Sequence, residues 1–146
     1  MSIKKSVMIS DQTLNFIEER TNCEIAWSKA VNGAFSNLQL LINLNIPNLS
    51  DKDWRIVLDV HSGNINLFDS VSYPFRLASD VMDHYGVIDL NDLVPEIQMT
   101  VKKLHGLTQA EQYAVYDVVG RFWAKNRSEV DGDFSDILES LTKKSA

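Results

Sequence analysis

The feature that most constrains this chain is the spacing of its apolar residues, which recurs every three or four positions over most of the sequence after residue 28. The clearest runs are Ala30, Val31, Ala34, Phe35, Leu38, Leu41 and Ile42, and later Tyr113, Val115, Tyr116, Val119, Phe122 and Trp123. This spacing places side chains on one face of an α-helix, where they can be buried together. The 146 residues, 45% of them apolar, are enough for a hydrophobic core. We therefore predict a mainly α-helical fold.

Several residues mark where these helices begin and end. Thr108 and Glu111 form the clearest capping box, in which a hydroxyl and a carboxylate satisfy free backbone amides at a helix start. Further helix starts are predicted at Ser10, at Ser28, at Ser50 with Asp53 and at Asn91 or Asp92, and a helix end at Gly86. Pro47 ends the preceding helix, because the residue before a proline is excluded from the α region.

The first residues follow a different pattern, with apolar and polar side chains alternating between Ile3 and Ile9. One face would carry Ile3, Val7 and Ile9, and the other Lys4, Ser6 and Met8. Such alternation is typical of a short β-strand. A single strand of this length is not stable alone, so we expect it to pair with its copy in a second subunit.

Two helical patterns follow this strand, and the order strand, helix, turn, helix resembles the ribbon-helix-helix family of DNA-binding proteins. The resemblance rests on the segments SVMISD (6–11), LNFIEERT (14–21) and WSKAVNGAF (27–35). It covers less than a third of the chain and does not extend to the later residues.

The resemblance implies a homodimer whose paired strands enter the major groove of double-stranded DNA. The base-reading residues would be Lys4, Ser6 and Met8. The free amides at the start of the second helix, at Trp27, Ser28 and Lys29, would bind a backbone phosphate. By analogy with small regulators of this kind, a repressor-like or antitoxin-like role is implied.

The charge is unevenly distributed between two predicted regions. Residues 1–45, the ribbon-helix-helix-like segment, have four basic and four acidic residues, so residues 46–146 carry the whole net charge of −6. The polar segment 45–50, which contains a proline, is the predicted boundary. A negative surface repels polyanions and attracts cations, so a basic protein partner would bind the acidic helical domain at 46–146.

The sequence contains no recognisable signal for a cofactor, a metal or a membrane. Cys23 is the only cysteine, which agrees with a reducing compartment, and we expect a cytoplasmic protein. No Cys/His pair has zinc-ligand spacing, and no secretory or membrane-spanning apolar stretch is found.

Catalytic motifs are also missing, and we expect no enzyme activity. Asp80 and His84 lie one helical turn apart, a spacing that suits a metal or proton site but is more typical of a surface pair. A catalytic site after residue 50 would require the fold to join His61, His84 or His105 with carboxylates.

Two functions remain open from the sequence. The first is a homodimeric DNA-binding transcriptional regulator whose C-terminal helical domain binds a partner or effector. The alternative, favoured by the overall acidity and the single cation among the predicted base-reading residues, is an acidic protein-interaction module, an inhibitor or adaptor, that does not bind DNA.

Overall fold

The computed structural model describes residues 9–20, 27–62, 76–125 and 135–142, and every regular element within these ranges is helical. The elements are α1 (Asp11–Glu18), α2 (Trp27–Leu44), α3 (Asp51–Val60), α4 (Leu77–His84), a 3-10 helix (Leu90–Asp92), α5 (Pro95–His105), α6 (Gln109–Lys125) and α7 (Ser135–Thr142). The prediction of a mainly α-helical fold is confirmed. Among the described helices, none is both long and apolar enough to cross a membrane.

The ribbon-helix-helix assignment is wrong. That fold requires a β-strand paired into a ribbon, whereas the described ranges contain helices and no strand. Of the predicted strand only Ile9 is described, directly before the cap of α1, and residues 3–8 lie outside the described ranges. Alternation over seven residues is a weak strand signal, and two successive helices occur in many folds. The repressor-like and antitoxin-like roles followed from the resemblance alone and lose their basis with it.

By their internal contacts, residues 1–37 and 38–146 form two units. In the first unit, α1 begins at the predicted cap, where the Ser10 hydroxyl accepts a hydrogen bond from the Thr13 backbone N–H at 3.2 Å. The Arg20 guanidinium lies over the Phe16 ring, 3.7 Å from its centroid. No side chain described at positions 9–20 and 29–37 is buried. The helical segments of this unit therefore form without a core among its described residues.

Helix α2 begins two residues earlier than predicted. With Ser28 as its cap the first residue would be Lys29, but the helix already includes Trp27, so Ser28 lies in its first turn. The helix ends at Leu44, before Pro47, as the restriction on residues preceding a proline requires.

The second unit is built around one hydrophobic core. Helices α3, α4 and α5 pack against one another, and α6 packs against α7. The buried Trp123 indole donates a hydrogen bond to the Leu58 carbonyl at 3.0 Å, which satisfies its only polar atom. The core contains Ile42, Ile46, Leu49, Trp54, Val57, Leu58, Leu77, Ala78, Val81, Leu93, Val101, Leu104, Ala114, Val115, Tyr116, Val118, Val119, Phe122, Trp123 and Leu141.

The helix start predicted at Thr108 and the helix end predicted at Gly86 are confirmed. Both hydrogen bonds of the Thr108–Glu111 capping box are formed, at 2.8 and 3.2 Å. Gly86 follows α4 with a φ of +65°, a conformation that glycine adopts without steric cost. Pro95 is the first residue of α5, where a missing N–H is tolerated.

Candidate functional site

A buried carboxylate joins the start of α3 to α5. Asp53 Oδ2 accepts hydrogen bonds from the Ser50 N–H at 3.0 Å, the Ser50 hydroxyl at 2.8 Å and Lys103 Nζ at 2.6 Å. Its Oδ1 accepts from the Thr100 hydroxyl at 2.6 Å. Sequence reasoning found only the capping role of Asp53, because Thr100 and Lys103 are about fifty positions away in the chain.

The environment of Asp53 keeps this side chain ionised. Burial raises the pKa of the carboxyl, but the hydrogen bonds from Lys103, Thr100 and Ser50 lower it by more, so that the pKa falls to about 2. All the groups that surround the carboxylate donate to it, and no proton acceptor or free nucleophile is among them. This arrangement stabilises the fold and has no evident catalytic use.

A second polar cluster connects three helices through Asp80 of α4. Its Oδ2 accepts from the Tyr116 hydroxyl of α6 at 2.8 Å and lies 3.0 Å from Nε2 of His61, at the end of α3. Burial raises the pKa of Asp80, but the contacts with His61 and Tyr116 outweigh it and lower the pKa overall. Burial and the Asp80 charge raise the pKa of Tyr116, so this phenol remains a donor.

The geometry of His61 argues against a catalytic base. Its Nδ1 lies 2.9 Å from the Val57 carbonyl oxygen, while Nε2 faces Asp80. Both ring nitrogens are therefore occupied by contacts within the protein, and the side chain is only 10% exposed, so neither nitrogen faces a substrate. The cluster is therefore a structural connection.

The structure does not bring the three histidines together. Asp80 contacts His61 and not His84, the residue one turn away that the sequence offered as its partner. The His84 ring instead packs edge-on against Tyr85, and His105 is exposed at the end of α5. Within the described ranges, no three His, Cys, Asp or Glu side chains are arranged to bind a metal ion. Cys23 lies outside these ranges.

The connection between α4 and α5, residues 85–94, has a well-defined backbone although it lacks a long helix. The Gly86 N–H donates to the Asp83 carbonyl and the Val87 N–H to the Met82 carbonyl, each at 3.1 Å. This pair of bonds is the Schellman motif, which closes a helix at a left-handed glycine. We call residues 85–94 the 85–94 loop.

The second half of the 85–94 loop is held by its own side chains. Asp89 Oδ1 accepts from the Asn91 N–H at 2.9 Å and from the Asn91 amide at 3.0 Å, which caps the 3-10 helix. Leu93 is buried in the core, and Gln98 donates to its carbonyl at 3.0 Å. These contacts fix the path of the backbone before α5 begins.

This fixed loop exposes three large apolar side chains. Ile88 is 97% exposed, Val94 56% and Tyr85 40%. Single exposed apolar residues are common, but a group of them on one short segment is a frequent feature of interaction sites. The 85–94 loop is therefore a candidate binding surface.

The same region is acidic and lacks basic residues. Asp83, Asp89 and Asp92 are all exposed, and the sequence contains no lysine or arginine between Arg76 and Lys102. Glu96, just beyond the loop, is paired with Lys52 at 2.7 Å. The three aspartates therefore lie beside the apolar residues in the sequence, and no lysine or arginine lies between them.

Sequence reasoning missed this surface. It placed the next helix start at Asn91 or Asp92, whereas these residues belong to the 3-10 helix, and α5 begins at Pro95 after the cap residue Val94. The available signal was a 25-residue stretch with five carboxylates and no Lys or Arg. Exposure of Ile88 could not be read from the sequence, because the segment Val87–Leu90 has the apolar composition of a core segment.

The residues predicted to bind DNA are only partly described. Lys4, Ser6 and Met8 lie outside the described ranges. Trp27 and Ser28 are in the first turn of α2, with their side chains outside the description, and Lys29 is exposed in that turn. Their proposed contacts with DNA stay a prediction.

Comparison with known proteins assigns no family to the chain: no family model matches it, and neither a curated protein nor a solved structure matches it.

Proposed function

We propose that this protein is an acidic protein-interaction module, an adaptor or inhibitor, that binds another protein through the 85–94 loop. The observation that carries the proposal is the exposure of Ile88, Val94 and Tyr85 on a backbone held by internal hydrogen bonds. Because this backbone is already ordered, binding would require little further loss of conformational entropy.

The polar clusters support a role in binding rather than catalysis. Each links helices of the second unit, and the reactive atoms of His61, Asp53 and Asp80 are all engaged in hydrogen bonds or ion pairs. They hold the helices that position the loop, since Asp80 lies on α4 and the partners of Asp53 lie on α5. Rigid scaffolds that present exposed loops are a common arrangement for binding sites.

DNA binding and homodimer formation are separate predictions that the proposed function does not require. Phosphate groups would be repelled by the exposed aspartates of the 85–94 loop, so DNA binding would have to use the neutral N-terminal segment.

Photo-crosslinking tests the proposed function at a chosen position. A photoreactive amino acid replaces Ile88 in the full chain, which is then expressed in its native cell and irradiated. Met99 provides the control position, because it is 61% exposed but lies on α5 outside the loop. We expect a defined protein adduct from position 88 and none, or a different set, from position 99. Nuclease treatment before irradiation should leave the adduct unchanged.

Two results would reject the proposed function. The first is the same adduct pattern from positions 88 and 99, which would indicate random collision. The second is loss of every adduct after nuclease treatment, which would show that nucleic acid mediates the association.

A further inference from the structure

We infer that the partner segment bound by the 85–94 loop is basic, with an apolar side chain flanked by lysine or arginine residues. This inference rests on the proposed function and adds the chemical class of the partner. It follows from the combination of exposed apolar side chains and exposed carboxylates on one short segment of the chain.

The exposed apolar side chains of the 85–94 loop require an apolar group in the partner. Ile88 is almost fully exposed, with Val94 and Tyr85 partly exposed at the two ends of the same loop. A partner that covered them only with charged groups would lose hydration without replacing it by favourable contacts. An apolar side chain in the partner is therefore required to remove this surface from water.

The exposed aspartates in and beside the 85–94 loop favour basic groups in the partner. Asp83, Asp89 and Asp92 are exposed, and the nearest basic residues along the chain are Arg76 and Lys102. Arg76 lies 3.7 Å from Asp80, so its charge is directed toward that carboxylate. The three aspartates lie within ten positions of one another at the end of α4 and in the 85–94 loop, so this segment carries exposed negative charges and no lysine or arginine. Lysine or arginine side chains in the partner would complement this field.

The negative charge of the 85–94 loop argues against a second copy of the chain, a nucleic acid or an anionic membrane as its partner. A second copy of the same loop would place aspartate against aspartate, and like charges across an interface are unfavourable. Nucleic acids and anionic membranes carry the same sign of charge as the loop. The carboxylates are not grouped for metal coordination within the described ranges. A basic polypeptide segment is the occupant that the charges favour.

The size of the surface indicates a short segment rather than a folded domain. Three exposed apolar side chains on a ten-residue loop are far fewer than the roughly 20–30 residues that each partner contributes to a stable complex of standard size. We expect binding to be transient and to weaken with increasing salt, because electrostatic attraction contributes a large part of it.

Fluorescence anisotropy of labelled peptides tests this inference with the full chain. The probe is a short peptide in which two leucines are flanked by lysines, and its matched controls replace either the leucines by serine or the lysines by glutamate. We expect the Lys/Leu peptide to bind, with an affinity that falls as salt rises. The Lys/Ser peptide should bind at least about tenfold more weakly, and the Glu/Leu peptide should show no binding.

Variants of the protein locate the binding site. Ile88→Ser should weaken binding of the Lys/Leu peptide about tenfold, while Met99→Ser should change it less than about twofold. Asp92→Asn should weaken binding severalfold and reduce its dependence on salt. Glu139→Gln, the loss of an exposed carboxylate on α7, is the control for net charge and should have a smaller effect.

The Val94→Ser variant distinguishes an effect on peptide binding from an effect on the stability of the protein. Val94 is the N-cap of α5, a position at which serine is preferred, so this variant should keep or increase helix stability while it removes apolar surface. Weaker peptide binding by a protein that melts at the same or a higher temperature supports the inference. Unchanged binding in both Ile88→Ser and Val94→Ser would overturn it.

The outcomes distinguish this inference from the proposed function on which it rests. A protein adduct at position 88 whose contact segment is neutral or acidic would keep the proposed function and reject the basic partner. Equal weakening by Asp92→Asn and Glu139→Gln would also reject the inference, because it would reflect overall charge rather than the loop. Failure of the site-specific crosslink would reject the proposed function itself.

Discussion

The two units of the chain start their helices with the same local signal but differ in what surrounds it. Ser10 caps α1 and Ser50 caps α3, each through its hydroxyl and the backbone N–H three residues later. Around Ser50 the cap continues into Asp53, Thr100 and the core, whereas none of the side chains described near Ser10 is buried. A local signal is thus enough to place a helix end, but it does not create a core. We expect the second unit to determine the free energy of unfolding.

The largest difference between the units should appear when apolar side chains are shortened. Leu104 is fully buried in the second unit, and Leu104→Ala should lower the free energy of unfolding by about 2–5 kcal/mol, because it leaves a cavity. Phe16 is 56% exposed in the first unit, and Phe16→Ala should lower it by less than about 0.5 kcal/mol. Urea denaturation followed by circular dichroism measures both. Equal losses would show that Phe16 belongs to a core and would remove the contrast.

A smaller difference is expected for acidic residues in the first turns of helices. Asp53→Ala removes half of a capping box and leaves the buried Thr100 hydroxyl without its carboxylate, so it should lower the free energy of unfolding by about 2–3 kcal/mol. Asp11 is exposed in the first turn of α1, and Asp11→Ala should lower it by less than about 0.5 kcal/mol. Urea denaturation followed by circular dichroism measures the loss in Asp53→Ala and in Asp11→Ala. A loss at Asp53 no larger than that at Asp11 would show that the buried network contributes nothing.

Lowering the pH should reduce the free energy of unfolding of the second unit, because Asp53 becomes protonated. The folded pKa of about 2 is below the ordinary value of 3.8, so the stability gained from ionised Asp53 is fully present above the ordinary value. It is lost as the pH falls through the folded pKa, and its size is about 1–2 kcal/mol after allowance for the half-exposed Lys103. Urea midpoints of wild type and Asp53→Ala should therefore converge between about pH 4 and pH 2. A constant difference over this range contradicts the prediction.

The smallest effect is expected from glycines, and its sign should differ between the units. Gly33 lies inside α2 with nothing near the position of an added Cβ, so Gly33→Ala should increase helix stability by about 0.5–1 kcal/mol. Gly86 has a φ of +65°, and Gly86→Ala should lower stability by about 1 kcal/mol. Helix content by circular dichroism and thermal melting report the two changes. A decrease in helix content for Gly33→Ala would indicate that this glycine meets a contact outside the described residues.

Local signals also explain which predictions for the 85–94 loop succeeded. Gly86 was recognised as a helix end because the left-handed conformation favours glycine whatever its tertiary context. The helix start was misplaced by a few residues, since Asn91 and Asp92 are equally good residues for a turn and for a cap. Exposure of Ile88 depends on which neighbouring helices fail to cover it, and no local pattern contains that information.

The sequence by itself determined the helical class, most helix ends in the second unit and the uneven distribution of charge, because apolar spacing, capping residues and charge act within a few positions along the chain. It also suggested a ribbon-helix-helix segment that the helical structure contradicts, since a short alternation can be read in several ways. Only the tertiary structure decided that Asp53 joins Thr100 and Lys103, that Asp80 joins His61 and Tyr116, and that Ile88 remains exposed. These relationships depend on helix packing, which brings together residues separated by tens of positions and leaves others uncovered.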